Sequence, residues 1–192
     1  MKKTLLLAGV ACLFSFGANA EEYRPYVGLD YVFSNANIKK EYNMKKDYNS
    51  GAVNAGIQIG EYTGLEAFFQ QSGERKKNIT DTLNNKTKFH AYGLDLYGYM
   101  PVPECNEKFS LLGSIGIANY NIESKYNGDI RGKIDKDRIG YRVGLGAQYN
   151  FNEHWGARVM GRYSYLGTKV LKDLKEVTAG IRYTFKEDSF FH

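Results

Sequence analysis

Ile139-Gly140-Tyr141-Arg142-Val143-Gly144-Leu145-Gly146-Ala147-Gln148-Tyr149-Asn150-Phe151 alternates without error: odd positions are apolar, even positions are glycine, polar or charged. Successive side chains of a strand point to opposite faces, so this period of two gives one apolar and one small or polar face. The pattern recurs in Val53–Ile59 and Val177–Phe185. Working outward, strand-like runs are predicted at 23–35, 63–73, 87–100, 109–123 and 155–166, eight strands in all. Connection lengths alternate too. Stretches 36–49, 74–86, 124–137 and 167–175 are long or polar, whereas Gly60–Tyr62, Pro101–Lys108 and Asn152–His154 are short. A meander with both chain ends on one side has four loops at one rim and three at the other, as these lengths do.

Composition removes other fold classes. The chain has 192 residues, with 16 Tyr, 11 Phe and 1 Trp. So aromatic a chain buries enough apolar surface to escape disorder. Beyond residue 20 the longest mostly apolar stretch is about Leu111–Ala118, short of the roughly 18–20 residues of a spanning helix. The start is different. Met1-Lys2-Lys3, an apolar Thr4–Gly17 and the small-x-small Ala18-Asn19-Ala20 form a bacterial secretory signal. The expected organisation is a cleaved signal peptide at 1–20 and one domain at 21–192, with its last strand at about 176–185 and a short tail at 186–192. Cleavage removes Lys2 and Lys3, lowering the formal charge from +5 to +3, and removes Cys12, leaving Cys105 alone. A single cysteine makes no internal bridge. No Cys/His spacing suggests a metal site, no cofactor is expected, and the scattered basic excess with an export signal argues against nucleic acid.

Volume decides which face is outside. The apolar set includes Val27, Leu29, Tyr31, Phe33, Ile57, Leu65, Phe69, Tyr92, Leu94, Leu96, Leu111, Ile115, Ile117, Tyr141, Leu145, Trp155, Val159, Tyr163, Ile181 and Phe185. Eight strands enclose room for only a modest side-chain filling, so this set faces lipid. The opposite set is small or polar: Gly28, Asp30, Asn54, Gly56, Glu66, Ser114, Gly116, Arg142, Gly144, Gly146, Arg158, Arg162, Gly180 and Arg182. It points inward. A lipid-exposed strand edge would leave backbone groups unpaired, so the sheet must close. The fold class is therefore all-β, an eight-stranded antiparallel up-and-down transmembrane barrel.

These features together resemble the small outer-membrane β-barrels of the OmpA/OmpX-like and opacity-protein type, over 21–192. The last strand, Thr178-Ala179-Gly180-Ile181-Arg182-Tyr183-Thr184-Phe185, is similar to that class's assembly signal, with Thr178, Gly180, Tyr183 and Phe185 at the matching positions. The resemblance implies location in the bacterial outer membrane and recognition of this strand by the barrel-assembly machinery. The family usually ends at that aromatic, whereas this chain continues through Lys186–His192.

The inward set carries Asp30, Glu66, Asp95, Arg142, Arg158, Arg162 and Arg182. Ionised groups in a narrow interior must be paired or hydrated. Counting from the short-turn rim places Glu66, Arg158, Arg182 and Asp95 at similar depth, and these are expected to form one connected cluster. Such a cluster is either a salt-bridged plug or the gate of a narrow pore, and the plug is favoured because barrels of this size are generally filled by side chains.

No catalytic constellation is found. His192 is terminal, His154 is in a short turn, and His90 has Lys88 and Tyr92 two positions away rather than a nucleophile. The long loops carry Lys39, Lys40, Lys45, Lys46, Arg75, Lys76, Lys77, Arg131 and Lys133. They are expected to face solvent, lipopolysaccharide phosphates, surface sugars or a host ligand. The expected role is structural or surface interaction without enzymatic activity. The alternatives are a narrow porin for small solutes and a lipid-modifying enzyme.

Overall fold

The computed structural model describes residues 23–38, 47–73, 75–80, 83–103, 108–127, 132–167 and 171–185. The strands are β1 (Tyr23–Ile38), β2 (Asp47–Ile59), β3 (Thr63–Ser72), β4 (Arg75–Thr80), β5 (Leu83–Pro101), β6 (Phe109–Asn127), β7 (Gly132–Asn150), β8 (Trp155–Tyr165) and β9 (Leu171–Thr184). All pairings are antiparallel. Segments β3 and β4 follow each other across residues 73–74 and both pair with β5, so they are one barrel strand and the barrel has eight. The sheet runs β3-β2-β1-β9-β8-β7-β6-β5, and β3 pairs with β5 to complete the circle. First and last strands meet with Leu29 opposite Ile181 and Asp30 opposite Gly180.

The strands run further toward the long loops than the alternation predicts. β2 begins at Asp47, β7 at Gly132 and β9 at Leu171, and β6 continues to Asn127. Consequently Arg75, Lys76 and Lys77 lie on β4 and Lys133 lies on β7, not in loops. The reason is physical. Ladder hydrogen bonds do not need an apolar face, and beyond the lipid the outward residues are free to be polar, which erases the period-two signal. Lys39, Lys40, Lys45, Lys46 and Arg131, the leader 1–20 and the tail 186–192 lie outside the described residues.

The short turns are set locally. Gly60 adopts φ +61° in the turn from β2 to β3, a conformation glycine takes without steric penalty. In the turn from β7 to β8, the Asn152 side-chain oxygen accepts the backbone N–H groups of His154 (2.9 Å) and Trp155 (2.8 Å). This is an Asx-type turn.

Exposure separates the two faces. Leu29, Ile115 and Leu145 are 58, 60 and 75% exposed, while Glu66, Asp95 and Arg142 are 0, 1 and 2% exposed. A continuous apolar exterior around a charged interior inverts the pattern of a barrel that stands in water. The interior is bulkier than the small-or-polar reading anticipates, because Tyr26, Tyr97, Tyr99 and Tyr120 point into it. Glycines make room. A Cβ on Gly56 would lie 2.6 Å from the Tyr26 ring, and one on Gly64 would lie 2.9 Å from the Tyr99 ring.

The face assignment has a direct test. Leu145→Arg places a charge against lipid, costing about 2–4 kcal/mol near mid-membrane, whereas Ser114→Ala alters only an inward hydroxyl. Folding yield into lipid vesicles is expected to fall for the first and stay near wild type for the second.

Candidate functional site

The buried charge of the barrel sits on inward positions of six strands. Each of Asp30, Glu66, Asp95, Arg142, Arg158, Arg162 and Arg182 is no more than 6% exposed. Glu176 on β9 joins them at 2%. The alternation does not single it out, because it stands where the last strand is expected only to begin. Its parity with Thr178, Gly180 and Arg182 is the available signal. With Glu176 included, this inward set holds four arginines and four carboxylates, and Asp173 on β9 is a further buried acid at 6%.

Arg158 organises the tightest part. Its Nη2 donates to Asp30 Oδ2 at 2.6 Å and its Nη1 to Glu66 Oε2 at 2.6 Å. Further bonds run from Nε to Asp30 Oδ1 (3.2 Å) and from Nη2 to Glu66 Oε1 (3.0 Å), so the guanidinium engages both oxygens of both acids. Such paired bonds are among the strongest a side chain makes. The hydroxyls of Tyr26 (3.1 Å) and Tyr97 (3.3 Å) also donate to Glu66, and the Asn54 amide donates to Asp30 (3.2 Å). Gly180 sits so close beneath Asp30 that a Cβ there would overlap the carboxylate.

The other arginines engage different partners. Arg162 donates at 2.7 Å to the Tyr97 hydroxyl, which links it to Glu66. Arg182 donates to Gln58 (2.8 Å) and Tyr99 (3.1 Å) and lies 4.2 Å from the Tyr26 ring centre. Arg142 lies 3.6 Å from Asp95 and 4.0 Å from Glu176, and stacks 3.9 Å from the centre of the Phe68 ring. The single cluster expected from Glu66, Asp95, Arg158 and Arg182 is therefore corrected. Arg158 and Glu66 belong with Asp30, Asp95 belongs with Arg142, and Arg182 binds neutral partners. Asp95 stands directly opposite Glu66, a like charge, and turns to Arg142 instead; for Arg182 the cause is register. Trp155 faces Tyr183 and Arg158 faces Gly180, so Arg182 lies two residues nearer the short turns, roughly 7 Å along the strand. Counting from the short-turn rim hides that offset.

The residues matched to the assembly signal divide between the faces. Thr178 is fully buried in the interior and Gly180 abuts Asp30. Tyr183 packs edge-on against Trp155 (5.0 Å) and Phe185 (5.0 Å), and stacks with His154 (5.6 Å). The backbone N–H of Phe185 donates to Pro25 at 2.8 Å, fixing the end of the last strand against β1.

His90 stacks on Phe69, and among the described residues no group of three or more His, Cys, Asp and Glu is placed to hold a metal ion.

The outer membrane protein β-barrel domain family matches the chain over residues 4–185. The chain belongs to this family. Its place is accordingly the bacterial outer membrane. No curated protein matches it. Among solved structures it is similar to Neisserial surface protein A, at 14% identity and TM-score 0.64 over 85% of this chain and 97% of that one. It is also similar to Ail, the attachment invasion locus protein of Yersinia pestis, solved with the heparin analogue sucrose octasulfate, at 15% identity and TM-score 0.58 over 86 and 99%. A major outer membrane protein from Thermus thermophilus shares 10% identity at TM-score 0.62 over 85 and 99%. At these identities the likeness is one of fold.

The geometry of the triad sets an order of stabilities. Arg158→Met leaves two buried carboxylates without their cation, which costs about 3–5 kcal/mol. Arg182→Gln leaves only neutral partners and is expected to cost less. Urea unfolding in lipid vesicles reads both. Separately, Phe185→Ala is expected to reduce insertion in cells and Phe191→Ala to leave it near wild type, measured as folded protein in the outer-membrane fraction. The opposite order would place the recognised aromatic in the tail.

Proposed function

We propose that the protein is a surface-interaction barrel: exported by its leader, assembled through its last strand, closed to solutes, without enzymatic activity, and presenting a basic rim to an anionic partner. The observation that carries this reading is the Arg158 triad. Four hydrogen bonds between one guanidinium and two carboxylates, ringed by the Tyr26 and Tyr97 hydroxyls that donate to Glu66, fill the middle of the barrel with charges already satisfied by one another. A site whose polar groups are satisfied internally has few left to bind or steer a solute. Recognition then falls to the rim.

The rim's chemistry is cationic. Lys39, Lys40, Lys45, Lys46 and Arg131, with Arg75, Lys76, Lys77 and Lys133 on the strand extensions, favour phosphate or sulfate groups. In the outer membrane the nearest such groups are lipopolysaccharide phosphates, and beyond the cell they are sulfated host sugars. The complex of Ail with a heparin analogue supports a sulfated polysaccharide as the first probe.

The test uses the folded protein in lipid vesicles of defined composition. Binding to immobilised heparin is expected at low ionic strength and is expected to weaken as salt rises. Replacing Arg75, Lys76 and Lys77 with glutamine should reduce it without changing unfolding. A planar bilayer holding the wild type should carry no ionic current. Retention unaffected by the triple change, or a steady current, would contradict the respective half of the proposal. A current would favour the narrow-pore alternative.

A further inference from the structure

On the long-loop side β5, β6 and β7 stay paired well past Tyr92 and Tyr141, and β4 joins them. Parity fixes the faces of this extension. Tyr92 and Leu94 on β5, Ile115 and Ile117 on β6, and Ile139 and Tyr141 on β7 are exposed toward lipid. Counting by twos along each strand carries the same face to Lys86, Lys125 and Lys133. On β4 the register steps by one, since Gln71 faces His90 but Arg75 faces Thr87. The extra residue is a bulge, and beside it the Ser72 hydroxyl accepts the Phe89 N–H at 2.8 Å. The step brings Lys76 opposite Lys86. The outcome is one row, Lys76, Lys86, Lys125 and Lys133, each directly opposite the next across four adjacent strands. The row farther from the membrane is Asn78, Asn84 and Asn127. The row nearer to it is Lys88, Glu123 and Asp135.

Like charges directly opposite one another oppose strand pairing, yet here four stand in register. The nearer row sets two carboxylates against five lysines in all, a formal excess of three positive charges. An anionic partner relieves that repulsion, and the flanking amides both donate and accept, as sugar hydroxyls require. The face decides which partner. It is the face that adjoins lipid lower down, so beyond the lipid it adjoins the sugars those same lipids carry. Lys86 stands six residues past Tyr92, roughly 20 Å along the strand and about 15 Å along the membrane normal at the usual tilt. That height is above the interfacial phosphates and level with core sugars. We propose that Lys76, Lys86, Lys125 and Lys133 dock the acidic core sugars of a neighbouring lipopolysaccharide molecule, with Asn78, Asn84 and Asn127 meeting the adjoining hydroxyls. The inference rests on the surface-interaction reading and narrows it to a partner in the same membrane. Docking stabilises a strand extension that repels itself when the partner is absent.

Urea unfolding of the folded protein tests this in three kinds of vesicle: phospholipid alone, phospholipid with lipid A, and phospholipid with lipopolysaccharide that carries its phosphorylated core. Lys86→Gln with Lys125→Gln removes the middle of the row. In phospholipid alone this pair should raise the unfolding midpoint above wild type, because it relieves repulsion. With the full core it should lower the midpoint below wild type, because the docking charges are gone. Lipid A should behave as phospholipid does. Lys76→Gln with Lys133→Gln, the ends of the row, repeats the comparison if the first pair fails to fold. Arg75→Gln with Lys77→Gln removes the same charge from the opposite face of β4 and should show no core-dependent loss. A merely structural role would not reverse sign between lipids. No reversal, or an equal one in the opposite-face pair, overturns the site. A reversal already complete with lipid A overturns the core-sugar assignment in favour of the interfacial phosphates. Heparin retention in vesicles without lipopolysaccharide is read separately. If it holds while the reversal is absent, this site falls and the surface-interaction reading stands; if both are absent, both fall.

Discussion

A backbone in hydrocarbon has no water to bond, so every strand edge must be paired. That constraint forces β1 onto β9 and β3 onto β5, and the rest of the structure follows from the closed circle. Once the sheet closes, alternate residues are committed to lipid or to a narrow lumen. The outward set must be apolar and large. The inward set must share limited room, which is why glycines stand beneath Tyr26, Tyr99 and Asp30.

The lumen then poses an electrostatic problem. A cation and an anion taken out of water lose several kcal/mol each, and only close, multiply bonded pairing offsets the loss. Arg158 meets that demand with Asp30 and Glu66. Arg182 meets a milder version with neutral oxygens and aromatic faces. Arg142 meets it at longer range, 3.6 and 4.0 Å from Asp95 and Glu176, with its guanidinium stacked on the Phe68 ring. Three solutions to one problem share one lumen.

The fold is legible because lipid imposes a strict pattern on the sequence. Within the membrane, residues such as those of 139–151 cannot deviate from alternation without exposing polarity to lipid. Outside it they can, and there the pattern stops short of the structure: β4 and the starts of β7 and β9 lie in stretches that read as loops. Burial of the interior charges is legible from parity, but their partnering is not. Parity reports which face a residue takes, whereas pairing depends on inter-strand register, and one offset of two residues moves Arg182 out of the carboxylate layer. Glu176 escapes notice for a related reason, since it stands at the margin of the visible alternation. The large interior tyrosines escape it because polar and apolar labels do not describe a ring that packs by its face and bonds by its hydroxyl.

The claim on which the account turns is that Arg158 is locked between two carboxylates and shielded from solvent. Side-chain hydrogen exchange of its guanidinium, followed by NMR in lipid nanodiscs, reads this directly. The account predicts Arg158 protons that exchange far more slowly than those of a free arginine. Exchange at the rate of a solvated side chain would mean that water runs through the middle of the barrel, and would contradict it.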